Sequence, residues 1–73
     1  MIQTYDSILK ALQLYVDIDP ETVWVRGVAV ESYETERDSM TNETVYRVLG
    51  RERGAGKKVV FAVKESKIKP YLK

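Results

Sequence analysis

The sequence predicts an α+β fold in which an N-terminal amphipathic helix packs on a three-stranded antiparallel meander sheet with a short C-terminal turn and tail. Apolar residues recur every three or four positions near the start of the chain and at alternate positions further on. The connections between these segments are short, which favours antiparallel neighbours. At 73 residues the chain is expected to form a single domain over residues 1–73.

The helix is expected from Thr4 to Val16. Its apolar stripe consists of Tyr5, Ile8, Leu9, Leu12, Tyr15 and Val16. The Thr4 hydroxyl is expected to cap the first turn, and Gln13 is expected on the solvent side. Leu14 points away from the stripe, so it either folds over the following turn or touches another subunit. Pro20 ends the helix because proline has no amide hydrogen.

The first strand is expected from about Thr22 to about Tyr33, where β-branched and aromatic residues dominate. Gly27 leaves two arrangements open. Without a bulge at Gly27, the sheet is apolar on both faces and one of its apolar rows consists of Trp24, Val28 and Val30. With a bulge there, the valines gather on a single face: Val23, Val25, Val28 and Val30.

The remainder of the chain supplies two more strands and a tail. A long polar hairpin loop is expected over residues 34–43, which hold almost nothing to bury. A second strand is predicted from Thr44 to Arg53, and after a glycine-rich reversal a third strand from Lys58 to Lys64. The tail, residues 65–73, is expected to turn and to lay three apolar side chains on the core: Ile68, Tyr71 and Leu72.

The closing residues Ser66-Lys67-Ile68-Lys69-Pro70-Tyr71-Leu72 resemble the closing turn of small SH3-like barrels, including the chromatin-type domains of retroelement integrases. The resemblance covers this short segment alone. It implies an alternative fold, a small SH3-like barrel preceded by an N-terminal helix. Because a leading amphipathic helix departs from the barrel pattern, no functional residue is carried over.

The composition excludes most catalytic chemistry. Histidine and cysteine are both absent, which removes disulfides, the usual zinc and haem ligands, thiol nucleophiles and imidazole bases. The Gly54-Ala55-Gly56-Lys57 turn differs from a phosphate-binding loop, because Arg51 replaces its first glycine and Lys58 its hydroxyl residue. We therefore expect a protein that is not an enzyme, with no catalytic residue, metal, cofactor or small-molecule substrate.

Charge is strongly polarised along the chain, although the net charge is only +1. Acidic side chains dominate residues 17–43, and basic side chains dominate residues 44–73. Cross-strand pairing between the two regions is the structural explanation. The functional alternative is nucleic-acid binding by the basic β-hairpin 51–58, in which phosphates would be contacted by Arg51, Arg53, Lys57 and Lys58.

The function that these observations favour is a small non-catalytic protein–protein interaction or accessory module that forms a homodimer. If the first strand has no bulge, a single helix cannot cover both apolar faces of the sheet, and a second copy would cover the remaining one. The candidate interface residues are Leu14, Trp24, Val28, Val30 and Tyr33. No apolar stretch approaches the roughly 18 residues of a membrane span, and the chain does not open on a signal-like apolar run. We therefore expect no membrane partner and a cytoplasmic location.

Overall fold

The computed structural model describes residues 4–18 and 23–72. Its elements are α1 (Tyr5–Ile18), a 3-10 turn (Val23–Val25), β1 (Val28–Arg37), β2 (Thr44–Glu52), β3 (Lys58–Lys64), α2 (Glu65–Ile68) and a final 3-10 turn (Lys69–Tyr71). The strands pair antiparallel in the order β1-β2-β3 and form an open sheet with α1 packed on one face. The α+β prediction is confirmed. The barrel alternative is wrong, because in the described part of the chain β1 and β3 each pair only with β2.

Helix α1 begins as its capping residue predicts. The backbone nitrogen of Ser7 donates to the Thr4 hydroxyl oxygen at 3.1 Å, which satisfies one of the amides that a helix start leaves without a partner. The helix continues beyond Val16 to Ile18, and the predicted turn at Pro20 lies outside the described residues. Helix α1 buries Leu12, Tyr15 and Val16 of the predicted stripe, together with Ala11, which the stripe does not include. Tyr5 belongs to the predicted stripe but is exposed.

The core lies between α1 and the sheet face that it covers, which we call the inner face. Fully buried side chains from the helix, the sheet and the tail meet there, among them Leu12, Val28, Val48 and Ile68. Tyr71 and Leu72 pack against this cluster. The predicted docking of the tail on the core is therefore confirmed.

Strands β1 and β2 approach each other closely at Gly50. A Cβ atom placed there would lie 2.6 Å from Val28 Cγ1 and 2.7 Å from the Ala29 carbonyl oxygen. Both separations are shorter than van der Waals contact, so β1 and β2 reach their observed spacing only with glycine at this position.

Strand β1 starts later than predicted, and its bulge is elsewhere. Trp24 lies in the 3-10 turn, and Gly27 adopts φ +75° in the turn before the strand. The pairing register with β2 shifts between Val30 and Ser32, so the bulge is at Glu31. The predicted strand start at about Thr22 lies outside the described residues. The strand expected over Val23–Val25 is wrong, because the left-handed Gly27 turns the chain before pairing begins.

Strand β1 also extends further than predicted, to Arg37, so the connecting loop covers only residues 38–43. The prediction of a loop from residue 34 is wrong because an antiparallel strand can keep one face in water and needs no apolar residue there. Glu34 is paired across the sheet with Arg47, and the Glu36 carboxylate lies 2.8 Å from the Arg47 guanidinium.

The helix covers the backbone edge of β1 with two side chains. Gln13 Oε1 accepts a hydrogen bond from the Val30 nitrogen at 2.7 Å, and its Nε2 donates to the Val28 carbonyl at 3.3 Å. The Tyr5 hydroxyl accepts from the Tyr33 nitrogen at 3.3 Å. The predicted solvent position of Gln13 is wrong, because this half-buried side chain takes the place of a strand partner.

Candidate functional site

Three of the predicted interface residues lie on the inner face and contact their own chain. Val28 is fully buried, and Val30 and Tyr33 are half-buried against the core. The Tyr33 ring stacks on Tyr5 with centroids 4.5 Å apart and meets Tyr46 edge-on at 5.4 Å. A single copy therefore covers Val28 completely and Val30 and Tyr33 in part.

The other two predicted interface residues are exposed. Leu14 is 44% exposed on α1, and Trp24 is 57% exposed with its ring edge-on to Phe61 at 5.9 Å. The apolar row proposed for Trp24, Val28 and Val30 does not exist, because Trp24 lies in the 3-10 turn before the strand whereas both valines pack at the core on the inner face. The structure does not bring the five residues together on one surface.

The sheet face that α1 leaves uncovered, the outer face, has an apolar centre. Ser32, Leu49 and Val60 stand side by side across the three strands, and Val60 is 57% exposed. An open depression of about 290 Å³ lies at this centre and is lined by Ser32, Tyr33, Glu34, Arg47, Leu49 and Val60. The alternation of side chains along β3 predicts that Val60 lies on the outer face: if the residues on either side of it point inward, Val60 must point outward.

Two ion pairs lie beside the depression, whose lining also includes Glu34. Arg47 pairs with Glu36, and the Arg51 Nε lies 3.2 Å from the Glu31 carboxylate. All four side chains are substantially exposed, so each pair adds little to stability. Their effect on the surface is larger, because the acidic side chains of β1 and the arginines of β2 leave almost no net charge beside the apolar centre.

The basic hairpin predicted as a nucleic-acid contact is partly neutralised in the same way. Besides its pair with Glu31, Arg51 donates to the Gly56 carbonyl at 3.2 Å. The Arg53 guanidinium lies 3.4 Å from the Asp17 carboxylate. Lys57 and Lys58 are exposed at the β2–β3 turn. The hairpin therefore holds four cations close together, but two of them already face carboxylates.

Two tyrosines of the inner face, Tyr33 and Tyr46, have raised pKa values. The Tyr46 hydroxyl donates to Glu65 Oε2 at 3.3 Å. Burial, reinforced by the negative charge of Glu65 and by this hydrogen bond, raises the pKa of Tyr46 to about 12. Burial, with smaller contributions from Tyr5 and Asp6, also raises the pKa of Tyr33. Neither hydroxyl is suited to act as a base near neutral pH.

Residues 4–18 and 23–72 contain no group of three or more metal-ligating side chains and no helix long and apolar enough to cross a membrane. The chain matches no protein-family model, no curated protein and no solved structure.

Proposed function

We propose that this chain is a small non-catalytic protein-interaction module whose first partner is a second copy of itself, held through the outer face. The observation that carries this proposal is the exposed apolar centre at Leu49 and Val60, set in a depression on a face that no element of the described chain covers. The proposed compartment is the cytoplasm, because small secreted domains usually depend on disulfides and this sequence has no cysteine.

A second copy suits this face because a twofold arrangement brings identical surfaces together. Identical charged surfaces repel each other, whereas the ion pairs of Arg47 and Arg51 leave the surroundings of the depression close to neutral. Leu49 and Val60 would then form the dry centre of the contact, with the Glu–Arg pairs at its polar rim. A face of three short strands is smaller than the standard interface of about 800 Å² per partner, so we expect a dissociation constant on the order of 10–100 μM.

The geometry supports a protein partner more than a nucleic acid. Phosphate binding gains its free energy from cations that release counterions on contact. Arg51 and Arg53 face carboxylates of their own chain, so each would have to leave an ion pair before it could contact a phosphate.

Sedimentation equilibrium of the full chain, over concentrations from about 10 to about 500 μM, tests the proposal. The average mass of the wild type is expected to rise from one chain toward two. Val60→Lys should hold the protein at one chain, because each dimer would bring two lysines together at the apolar centre. Met40→Lys is the matched control: Met40 is 94% exposed in the β1–β2 loop, and its replacement should leave the association unchanged.

Circular dichroism of the same samples shows whether both variants keep the fold. A wild type that stays at the mass of one chain throughout the series would remove self-association from the proposal. Equal association of Val60→Lys and Met40→Lys would remove the outer face as its site.

A further inference from the structure

The two edges of the sheet differ in how their backbone groups are satisfied. At the β1 edge the amides of Val30 and Tyr33 are bonded to Gln13 and Tyr5 of the helix. Because these amides already have partners, the β1 edge cannot pair with another strand from Val30 to Tyr33. The opposite edge belongs to β3, which within residues 4–18 and 23–72 pairs with β2 alone.

The register of the sheet shows which backbone groups of β3 point outward. Because the Tyr33 amide turns to the helix, its partner Val48 turns its own backbone groups toward β3, where it is paired with Phe61. Backbone groups alternate in direction along a strand. Those of Val60 and Ala62 therefore point away from the sheet, and both residues are exposed.

The side chains around this edge have a consistent chemistry. Strand β3 reads Lys-Val-Val-Phe-Ala-Val-Lys, with Lys58 and Lys64 exposed at its ends and no acidic residue. Trp24 lies edge-on to Phe61 and keeps 57% of its surface exposed. The edge thus offers backbone partners and an aromatic surface between two positive charges.

We propose that the edge of β3 that faces away from β2 binds an extended segment of a partner protein as a fourth antiparallel strand. This segment is acidic near both ends and apolar between them. Backbone hydrogen bonds to Val60 and Ala62 supply the pairing, and the side chains of the added strand set its specificity. Its acidic residues lie opposite Lys58 and Lys64, and an apolar residue reaches Trp24. The β3 strand of another copy fits poorly, since antiparallel pairing centred on Phe61 sets Lys58 of each copy opposite Lys64 of the other.

The probe is a synthetic peptide of about seven residues with blocked ends, acidic at the ends and alternating valine and threonine between them. Titration into the full-length protein is followed through Trp24, the only tryptophan of the chain. We expect a saturable shift of its emission to shorter wavelength. Lys64→Glu should weaken binding about fivefold or more, because an attractive cross-strand pair becomes a repulsive one. The control Lys10→Glu changes an exposed lysine of α1 and should leave binding within about twofold.

Two N-methylated peptides separate strand addition from simple charge attraction. Methylation of the amides that face β3 should abolish binding, whereas methylation of the alternate amides, which face water, should preserve it. Equal binding of the two methylated peptides, equal effects of Lys64→Glu and Lys10→Glu, or an absence of saturation would overturn the proposal. A Leu49→Lys variant keeps this test separate from self-association. Leu49 lies in β2 and lines the depression, so the variant should be monomeric and still bind the peptide.

Discussion

Gln13 Oε1 lies 2.7 Å from the Val30 backbone nitrogen, which places a helix side chain where a neighbouring strand would otherwise pair. The amide group of the same residue donates to the Val28 carbonyl and to the Asp17 carboxylate. One side chain thus satisfies a donor and an acceptor of β1 and fixes how the helix crosses the sheet.

Replacement of Gln13 by alanine should destabilise the fold by about 1–3 kcal/mol, because the half-buried Val30 amide loses its acceptor. Urea unfolding monitored by circular dichroism measures the change. Lys10→Ala is the control: Lys10 lies exposed on the same helix, and we expect an effect within about 0.5 kcal/mol. Equal losses in the two variants would mean that the Gln13 hydrogen bonds contribute nothing beyond helix propensity.

Gly50→Ala should be among the most damaging small substitutions in the chain. The added methyl carbon would lie within 3 Å of Val28 Cγ1 and of the Ala29 carbonyl oxygen, and we expect a loss of about 2–3 kcal/mol as the two strands move apart. Gly54→Ala separates crowding from backbone conformation, since Gly54 has φ +92° but no atom within 4 Å of the new carbon. Its cost should be about 1 kcal/mol. The prediction fails if chemical denaturation gives the reverse order.

Stability should decline in strong alkali through Tyr46. Its pKa is raised in the folded state from 10 to about 12, so between these values the folded chain keeps a proton that the unfolded chain has released. The contribution is complete below pH 10 and is lost as the pH rises toward 12, with a slope of up to about 1.4 kcal/mol per pH unit. Tyr33 acts in the same direction.

Urea midpoints measured across that pH interval test this expectation, with Tyr46→Phe as the comparison. The variant should show a shallower decline, because it has no phenolic proton to lose at that position. A decline as steep in Tyr46→Phe as in the wild type would assign the alkaline sensitivity to other groups.

Nucleic-acid binding by the basic hairpin should be weak. Because Arg51 and Arg53 already face carboxylates, fluorescence anisotropy with labelled single- and double-stranded oligonucleotides should show no saturable binding at about 0.15 M salt. Asp17→Asn together with Glu31→Gln frees both arginines and should increase binding at low salt. Tight binding by the wild type that disappears in Lys57→Ala/Lys58→Ala would establish the nucleic-acid function instead.

The parts of the fold that the sequence predicts well are those with local causes. Periodicity alone locates α1 and gives both ends of β3, and the Thr4 cap follows from residue type. The errors arise where contacts between residues distant in sequence determine the local structure. Trp24 has a strand preference, but the turn at Gly27 keeps it out of the strand. The helical wheel places Gln13 in water because it contains no information about the β1 edge beside the helix.

The candidate site shows the same division. Alternation implies that Val60 faces outward, and charge polarity along the chain implies acidic-to-basic pairing between strands, which Glu36 and Arg47 make. The depression beside Leu49 could not be predicted, since its shape depends on the register that the bulge at Glu31 sets.

The hydrogen bonds from Gln13 and Tyr5 to β1 have a consequence for the behaviour of the protein at high concentration. A fibre built by edge-to-edge pairing of sheets needs two exposed edges on each molecule, because each added molecule must present a free edge to the next. Here the helix occupies the β1 edge along its first half, so two copies of the sheet joined through β3 would present only partly blocked edges to a third copy. Lateral growth of this sheet should therefore stop after a single addition.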